Sequence, residues 1–318
     1  MLSIIIVSWN TVDLLRRCLA SIEAERGTTA LEIIVVDNGS LDGTPTMIHA
    51  EFPRVTVIES QENLGFSAGN NVGMAAAQGD FLLLLNPDTE LTPGALSHLL
   101  DFMAAHPAVG LVGPELRYGD GSHQPSRRRF ATLPTLFLDS TPLAPLLGPL
   151  RRRYYMADRA PDLAQPVDWL VGAALLIRRA VYVQVGGFDE QLFMYFEESD
   201  WQRRIKAAGW SIWYEPAARI IHHEGASSGQ VVTQRHIHFN QSRIRYTAKW
   251  HGPRWARRLS RWLWLLFTWE SLVEGAKWLL GHKRPLRAAR LQSYATVRQA
   301  LDGDGEQVTQ SGTATQSS

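Results

Sequence analysis

The stretch LLLLNPDTE, residues 82–90, decides how the first half of the chain folds. Four consecutive leucines suit a strand covered on both faces, because successive strand side chains point to opposite sides. Pro87 ends the run: its ring fixes φ, and it has no N–H for a central ladder. The carboxylate of Asp88 follows at once. Either Asp88 caps a following helix, with Thr89 and Thr92 as rival caps, or it faces a ligand beyond the sheet edge.

Working outward, strand and helix signals alternate. LSIIIVSWN is a short β-branched run, and TVDLLRRCLASIEAE has helical spacing at Val12, Leu15, Leu19 and Ile22. LEIIVVDNGS reads as a second buried strand, TPTMIHAEF as a helix with Pro45 in its first turn, and VTVIES as a third strand. A helix over SAGNNVGMAAAQ, the strand DFLLLLNPD and a helix over TPGALSHLLDFMAAH complete the series. Such alternation predicts βαβ units and a mostly parallel sheet, which binds ligands at the carboxyl ends of its strands. Ser8, Asp37 and Asp88 all fall there.

The chain has 318 residues, 45% of them hydrophobic, with formal net charge +1. That is enough for a large core, and it carries no bulk charge signal for nucleic acid. The single cysteine, Cys18, excludes an internal disulfide and reads as a buried core thiol beside Leu14, Leu15 and Leu19. The start resembles no signal peptide, and no uninterrupted apolar run reaches the roughly 18 residues of a spanning helix. A reducing, cytoplasmic setting fits.

Residues 117–166 differ: they are rich in Pro and Arg, with SRRRF and PLRRRYY around a Leu/Pro stretch. They read as a long excursion. Regular patterning resumes at VDWLVGAALLIRR, residues 232–300 read as helical, and 301–318 as a disordered tail.

Several constellations could carry chemistry. Strand one runs into Asn10-Thr11 with no glycine-rich phosphate loop, so a phosphate-bearing ligand would rely on side chains or a metal. Asp37 leaves a buried strand into a turn, which an Asx turn explains as readily as binding does. ENLGFSAGNNVG, 62–73, offers glycines for close approach and amides at Asn63, Asn70 and Asn71. In FDEQLFMYFEESDWQRRIKAAGW, Glu197, Glu198 and Asp200 crowd a helix start. Acids are favoured there electrostatically, and a general base could be placed among them. ARIIHHEGASS ends a strand in His222-His223, where one histidine could ligate a metal and packing is the plainer role.

Together these motifs, in this order over residues 2–230, resemble the inverting glycosyltransferases of family 2, with the GT-A nucleotide-diphospho-sugar fold, an α/β architecture of mostly parallel sheet flanked by helices. The nearest flavour is the bacterial rhamnosyltransferase-like enzymes of surface polysaccharide synthesis. The resemblance implies a catalytic domain over 1–230, with 117–166 a variable excursion on the acceptor side, and a helical extension over 231–300. It implies a donor pocket of Val7, Ser8, Asn10, Asp37, Asn63, Gly65, Asn70, Asn86 and Asp88. Asn86-Pro87-Asp88 takes the place of the family's D-x-D metal motif, and Asp88 with His222 would hold Mg²⁺ or Mn²⁺, cations suited to carboxylate and phosphate oxygens. Glu198 would be the catalytic base, with Asp200 continuing its motif. Trp169, Gly172, Gly187 and Glu197 fall on the acceptor side. Two departures stand out: Asn86 replaces the frequent first Asp, and Glu197-Glu198 replaces the commoner Glu-Asp.

The implied donor is a nucleotide-diphospho-sugar, for example dTDP-rhamnose, with the sugar and the base (dTDP, UDP or GDP) left open by the sequence, and the implied acceptor is a glycan or polyprenyl-linked sugar. Trp255, Leu259, Trp262, Leu266, Trp269 and Val273 share one helical stripe, with Arg254, Arg257, Arg258 and Arg261 at its start. That stripe suits either the inner membrane interface or packing on protein, including a second copy of the chain. Two rival functions are a sugar-nucleotide nucleotidyltransferase, which wants a glycine-rich basic loop after strand one, and an inactive glycan- or nucleotide-binding scaffold, which predicts a missing acid at position 88 or 198.

Overall fold

The computed structural model describes residues 1–223 and 232–314. The end of the ARIIHHEGASS motif from Glu224 onward and residues 315–318 of the expected tail lie outside them. In chain order the elements are β1 (Leu2–Ser8), α1 (Val12–Glu25), β2 (Leu31–Asp37), α2 (Thr44–Glu51), β3 (Thr56–Glu59), α3 (Gly65–Ala76), β4 (Phe81–Leu85), β5 (Thr89–Leu91), α4 (Ala95–Ala105) and β6 (Val109–Arg117). Then come β7 (His123–Gln124), β8 (Arg127–Arg128), α5 (Leu133–Leu138), a 3-10 turn over Ala144–Leu147, α6 (Gly148–Tyr154), β9 (Gln165–Pro166), β10 (Trp169–Leu170), β11 (Ala174–Arg178), α7 (Arg179–Val185), α8 (Glu197–Ala207) and β12 (Ser211–His222). Three helices follow: α9 (Val232–His251), α10 (Pro253–Leu279) and α11 (Arg284–Ala314).

The chain forms two compact units. One comprises Met1–Ala131, Gly148–Phe193 and Glu197–Ser227; the other comprises Thr132–Leu147, Met194–Phe196 and Ser228–Ser318. The Pro/Arg-rich excursion is therefore divided between them, and its middle belongs with the C-terminal helices.

The first unit is built on a mixed sheet of order β3-β2-β1-β4-β11-β6-β12-β5, with β7 beside β6 and β9 beside β12. β3, β2, β1 and β4 run parallel, β11 is antiparallel to both its neighbours, and β12 is parallel to β6. The four leucines behave as alternation requires. Leu83 and Leu85 enter one apolar cluster with Leu15, Cys18, Leu19 and Ile22 of α1, while Leu82 and Leu84 enter the other with Met74, Trp201 and Ile205. Each fully buried leucine contributes about 1.5–3 kcal/mol relative to exposure, so this strand is held from both sides. Cys18 is fully buried, its thiol pushed up to about 12 by loss of solvent, which makes it inert.

After Asn86-Pro87-Asp88 the chain does not go straight into a helix. It re-enters the sheet as β5 at the opposite edge, pairing antiparallel with the end of β12, where Thr89 faces His222. Asp88 thus caps no helix: α4 starts later, behind Gly94 in a left-handed conformation (φ 84°), whose N–H donates to Glu25.

In the second unit, α9, α10 and α11 share a core of Ile237, Ile244, Leu259, Leu263, Phe267, Val297 and Leu301. Helix α11 runs to Ala314, whereas a disordered tail is expected from residue 301. Once the packed turns around Val297 have met the cost of nucleation, each further residue adds a hydrogen bond to a helix already formed.

Candidate active site

Parallel pairing sets Ser8 of β1 beside Asp37 of β2 at the carboxyl ends of their strands. The Asn38 N–H donates to Ser8 O at 2.8 Å, and Asp37 Oδ2 accepts from the Ser40 N–H at 2.9 Å. The Asx turn is therefore real, but it uses one oxygen. Asp37 Oδ1 and Asn38 Oδ1 are buried acceptors without a partner. An unmatched buried acceptor costs free energy unless a ligand donor meets it. Asn10 has φ 51°, its N–H donates to Ser40 Oγ, and its Oδ1 accepts from the Leu41 N–H. The turn after β1 is thereby tied to the turn after β2.

Helix α3 closes this side. Asn38 Nδ2 donates to Gly65 O at 3.1 Å, and Asn63 Oδ1 accepts from the Gly65 N–H at 2.9 Å. Gly65 has φ 82°, and a Cβ there would lie 2.6 Å from the Phe193 ring, so both conformation and space demand glycine. Val7 approaches Gly69 as closely, at 2.8 Å from a notional Cβ. Asn70 is buried and gives its amide to Phe66 O within its own helix. Asn71 clamps the loop after α7, with its amide bonded to Phe188 O and Glu190 and its carbonyl accepting from the Phe188 N–H.

The β5–β12 pairing brings two strand ends together. His222 Nε2 lies 3.3 Å from Asp88 Oδ1 and 3.4 Å from Asn86 Nδ2, and both Asp88 and His222 are buried. His222 Nδ1 meets Gln124 Oε1 of β7 at 3.0 Å. Adjacent ligand atoms of an octahedral cation with bonds of about 2.1 Å lie about 3 Å apart, so the Asp88–His222 spacing fits a shared hard cation. Among the described residues no cluster of three or more His, Cys, Asp or Glu side chains surrounds it. Two protein ligands suffice only where ligand oxygens, such as a diphosphate's, complete the shell.

Helix α8 carries the acids. Tyr195 and Phe196 hold φ of 70° and 65°, a left-handed conformation costly for bulky residues, directly before Glu197. Glu197 is buried, whereas Glu198 keeps part of its surface open. Each carboxyl has one buried oxygen without a partner. Burial, with the Glu198 charge, holds the Glu197 carboxyl well above the usual carboxylate range. Burial likewise pushes Glu198 up to about 7, opposed by backbone N–H groups and the Arg128 charge. The two carboxyls interact through a hydrogen bond and through charge, so their titration belongs to the pair, and Glu198, the less raised of the two, is the one suited to take a proton from a hydroxyl.

Asp200 is fully buried and binds Arg204 Nε at 3.0 Å, and Arg204 in turn donates to Val185 O and Gly187 O. Its carboxylate thus sits inside the fold, tied to the helix turn that holds the loop of Val185 and Gly187. Gly187 is fixed by packing, since a Cβ there would meet Asn71 Oδ1 at 2.2 Å. Gly172 does border the acids, its notional Cβ 3.7 Å from Glu198 Cβ. Its neighbour Ala173 accepts from the Asn86 N–H at 2.9 Å. The dipeptide Gly172-Ala173 is therefore bonded to the Asn86–Asp88 turn and lies beside Glu198. Trp169 is buried and donates from Nε1 to Arg129 O at 3.0 Å.

Asn38, Gln124 and Arg128 escaped the sequence reading. Asn38 lies inside the quoted DNGS turn and carried a signal; Gln124 and Arg128 lie in the excursion and carried none.

A family profile described as "Glycosyl transferase family 2" matches residues 3–186. The N-acetylglucosaminyl-diphospho-decaprenol L-rhamnosyltransferase of Mycobacterium tuberculosis is 34% identical over 279 residues, covering 82% of this chain and 88% of its own. The rhamnosyltransferase WbbL of Escherichia coli is 28% identical over 273 residues, covering 82% and 93%. Among solved structures, the mannosyltransferase PcManGT of Pyrobaculum calidifontis, in complex with GDP-Man and Mn²⁺, superposes with a TM-score of 0.54 at 16% identity, over 96% of this chain and 86% of that one. GalNAc-T7 with UDP, GalNAc and Mn²⁺ gives 0.57 at 16% identity, over 79% and 48%. The shared fold is GT-A.

Proposed function

The chain belongs to glycosyltransferase family 2, and on that premise we propose that it is an inverting, metal-dependent rhamnosyltransferase acting on a lipid-linked sugar in surface polysaccharide synthesis. One observation carries the reading: Gly172-Ala173 lies beside both the turn bearing Asp88, bonded to it through Ala173 O, and the base of the Glu198 side chain, whose Cβ is 3.7 Å from an ideal Cβ on Gly172. A donor's leaving group and an acceptor's hydroxyl can therefore meet on the two sides of one short segment.

In this reading the nucleoside lies over the ends of β1 and β2, where Asp37 Oδ1 and Asn38 Oδ1 accept its N–H or O–H groups. Asp88 and His222 would hold Mg²⁺ or Mn²⁺, a Lewis acid that stabilises charge on the departing diphosphate. Glu198 accepts the proton of the acceptor hydroxyl as that oxygen attacks the anomeric carbon. The bond from the anomeric carbon to the diphosphate oxygen breaks, and its electron pair leaves with the nucleoside diphosphate. A single in-line displacement inverts the anomeric centre. Glu197, held protonated by burial, donates to Glu198 and so opposes the rise that burial imposes on the base.

The turn after β1 argues against nucleotidyl transfer, because Asn10 and Thr11 are engaged with Ser8 and Ser40 and form no basic glycine loop. We place the enzyme at the inner face of an anionic membrane through an exposed face of α10. No helix among the described residues is long and apolar enough to cross a bilayer. The expected stripe divides: Leu259 is buried, Trp262 bonds Phe137 O, and Trp255 packs edge-on to the Phe137 ring. A neighbouring face instead exposes Leu265, Trp269 and Leu272, at 59–65% of full accessibility, below the exposed Arg254, Arg258 and Arg261. Charge at one end and apolar surface beyond it suit an anionic interface.

The test is transfer from dTDP-rhamnose to a prenyl-diphosphoryl N-acetylglucosamine acceptor, with Mg²⁺, with Mn²⁺ and with EDTA. An inverted product formed only with metal supports the proposal; neither transfer nor donor hydrolysis under any condition sinks it.

A further inference from the structure

Strand β12 slips its register against β6 after Glu215. Glu215 pairs with Pro114 and Arg219 with Glu115, so the residues between them have no partner on β6. Pro216 has no N–H for a ladder, and the extra residues bulge from the sheet. The segment 161–164, which leads into β9, runs past the same place, because β9 pairs with Trp213 and Tyr214 just before the bulge. The bulge and this segment border a cavity of about 490 Å³. Small-molecule sites run from roughly 300 to 1,000 Å³. None of Asp37, Asp88, Glu198 or His222 lines it.

The lining is built around Glu115, which is buried and gathers cations. Its Oε2 accepts from Arg219 Nε at 3.1 Å, and its Oε1 accepts from Arg117 Nη2 at 3.1 Å and meets His123 Nδ1 at 3.3 Å. A guanidinium has five N–H donors, and both arginines keep some in hand. Among the described residues, Arg219 is held through Nε, which leaves its terminal amino groups, and Arg117 Nε is buried without a partner. The lining carries acceptors as well. Asp162 is exposed, and Glu215 uses Oε1 for the Ala217 N–H at 2.8 Å, which leaves Oε2. Leu163, 61% exposed, adds an apolar surface.

Three carboxylates share this lining with two guanidinium groups, so it carries no positive excess and an anion has no advantage there. A hydrocarbon would leave the buried donor unmet. A sugar ring satisfies all three features: its hydroxyls donate and accept, its C–H face suits Leu163, and hydrogen bonds to charged groups are the strong kind. We propose that this cavity is a second saccharide site, which binds an uncharged sugar unit through Arg117, Arg219, Asp162 and Glu215, apart from the reacting centre at Glu198. Its place on the strands gives it a role. Arg219 lies three residues before His222 on β12, about 10 Å along the strand. Successive strand side chains face opposite sides, so β7 gives His123 to Glu115 and Gln124 to His222. The saccharide thus sits beside the metal pair without entering it, where further units of a glycan can rest. The inference rests on the proposed transfer reaction only in taking a glycan unit as the ligand.

The experiment uses the full chain and a neutral probe, the methyl glycoside of a rhamnosyl-N-acetylglucosamine disaccharide, in saturation-transfer NMR with no donor sugar present. Wild type and Glu198→Gln should both saturate the probe, and excess nucleoside diphosphate with Mn²⁺ should leave the signal in place. The double variant Arg219→Gln, Asp162→Asn should weaken binding about tenfold or more, and Arg219→Lys with Asp162 kept should bind more tightly than that variant. Both side chains are exposed, so a normal thermal melt is expected and checks folding. No saturation of the probe by wild type overturns the inference, as does binding unchanged in the double variant. Displacement of the probe by the nucleoside diphosphate also overturns it, since the sugar would then occupy the reacting centre. Nothing turns over in this measurement, so each of these outcomes leaves the transfer reaction standing, and a failure of transfer with probe binding intact counts against that reaction alone.

Discussion

His222 Nε2 and Asp88 Oδ1 lie 3.3 Å apart, with the other ring nitrogen of His222 held by Gln124. A ring fixed at Nδ1 presents Nε2 to a cation in one orientation. Asp88→Ala should abolish Mn²⁺ binding in the presence of a nucleoside diphosphate, and Gln124→Ala should weaken it by roughly 10–100-fold. Electron paramagnetic resonance of free Mn²⁺ measures both without turnover; wild-type affinity in both variants would remove the metal from this pair.

Glu198 predicts a pH profile. Its carboxyl is pushed up to about 7, and a base works only when deprotonated. The kcat/KM should therefore rise with pH and level off above about 7. Glu198→Gln should remove that limb and lower transfer by roughly 10²–10⁴-fold with little change in donor affinity. Near-normal transfer by Glu198→Gln, with Glu197→Gln inactive, would move the base to the neighbour.

The same pair predicts a stability effect of fixed sign. The Glu197 carboxyl is raised in the folded state, mainly by burial, so the fold favours its protonated form. That contribution is fully present below the unfolded value near 4.3 and is lost as pH rises through the folded value. Glu197→Gln should raise the melting temperature at pH 8 and change it little at pH 4. An equal shift at both values would show that the carboxyl is ionised with no cost of burial.

In the second unit, Glu274 of α10 binds Arg287 of α11 at 2.6 Å, and both are buried. Removing one partner strands the other. Glu274→Ala should destabilise this unit by about 1.5–3 kcal/mol, and Glu274→Gln by less. Chemical denaturation followed by tryptophan fluorescence reads the change.

Membrane docking is checked by co-sedimentation with anionic liposomes. Replacing Leu265, Trp269 and Leu272 by serine should abolish binding at all salt concentrations, whereas Arg258→Gln with Arg261→Gln should weaken it most at low salt, each arginine contributing on the order of 1 kcal/mol. Unchanged sedimentation of the triple variant would rule out this face.

The sequence alone determined the αβ alternation, the two-faced burial of Leu82–Leu85, and the placement of acids at strand and helix ends, because periodicity and proline chemistry act over a few residues. The family followed from the same local motifs in order. Tertiary structure decided what local pattern cannot carry. It set β5 on β12, which brought His222 to Asp88; it turned Asp200 inward onto Arg204 and set the Glu197 and Glu198 carboxyls against each other; and it drew Gln124 and Arg128 out of an unpatterned excursion. On α10 it buried Leu259 and left Trp269 exposed, although the sequence set both on one stripe with Trp255 and Trp262. Helical spacing says which residues share a face, and only the neighbours packed against the helix decide which face is covered.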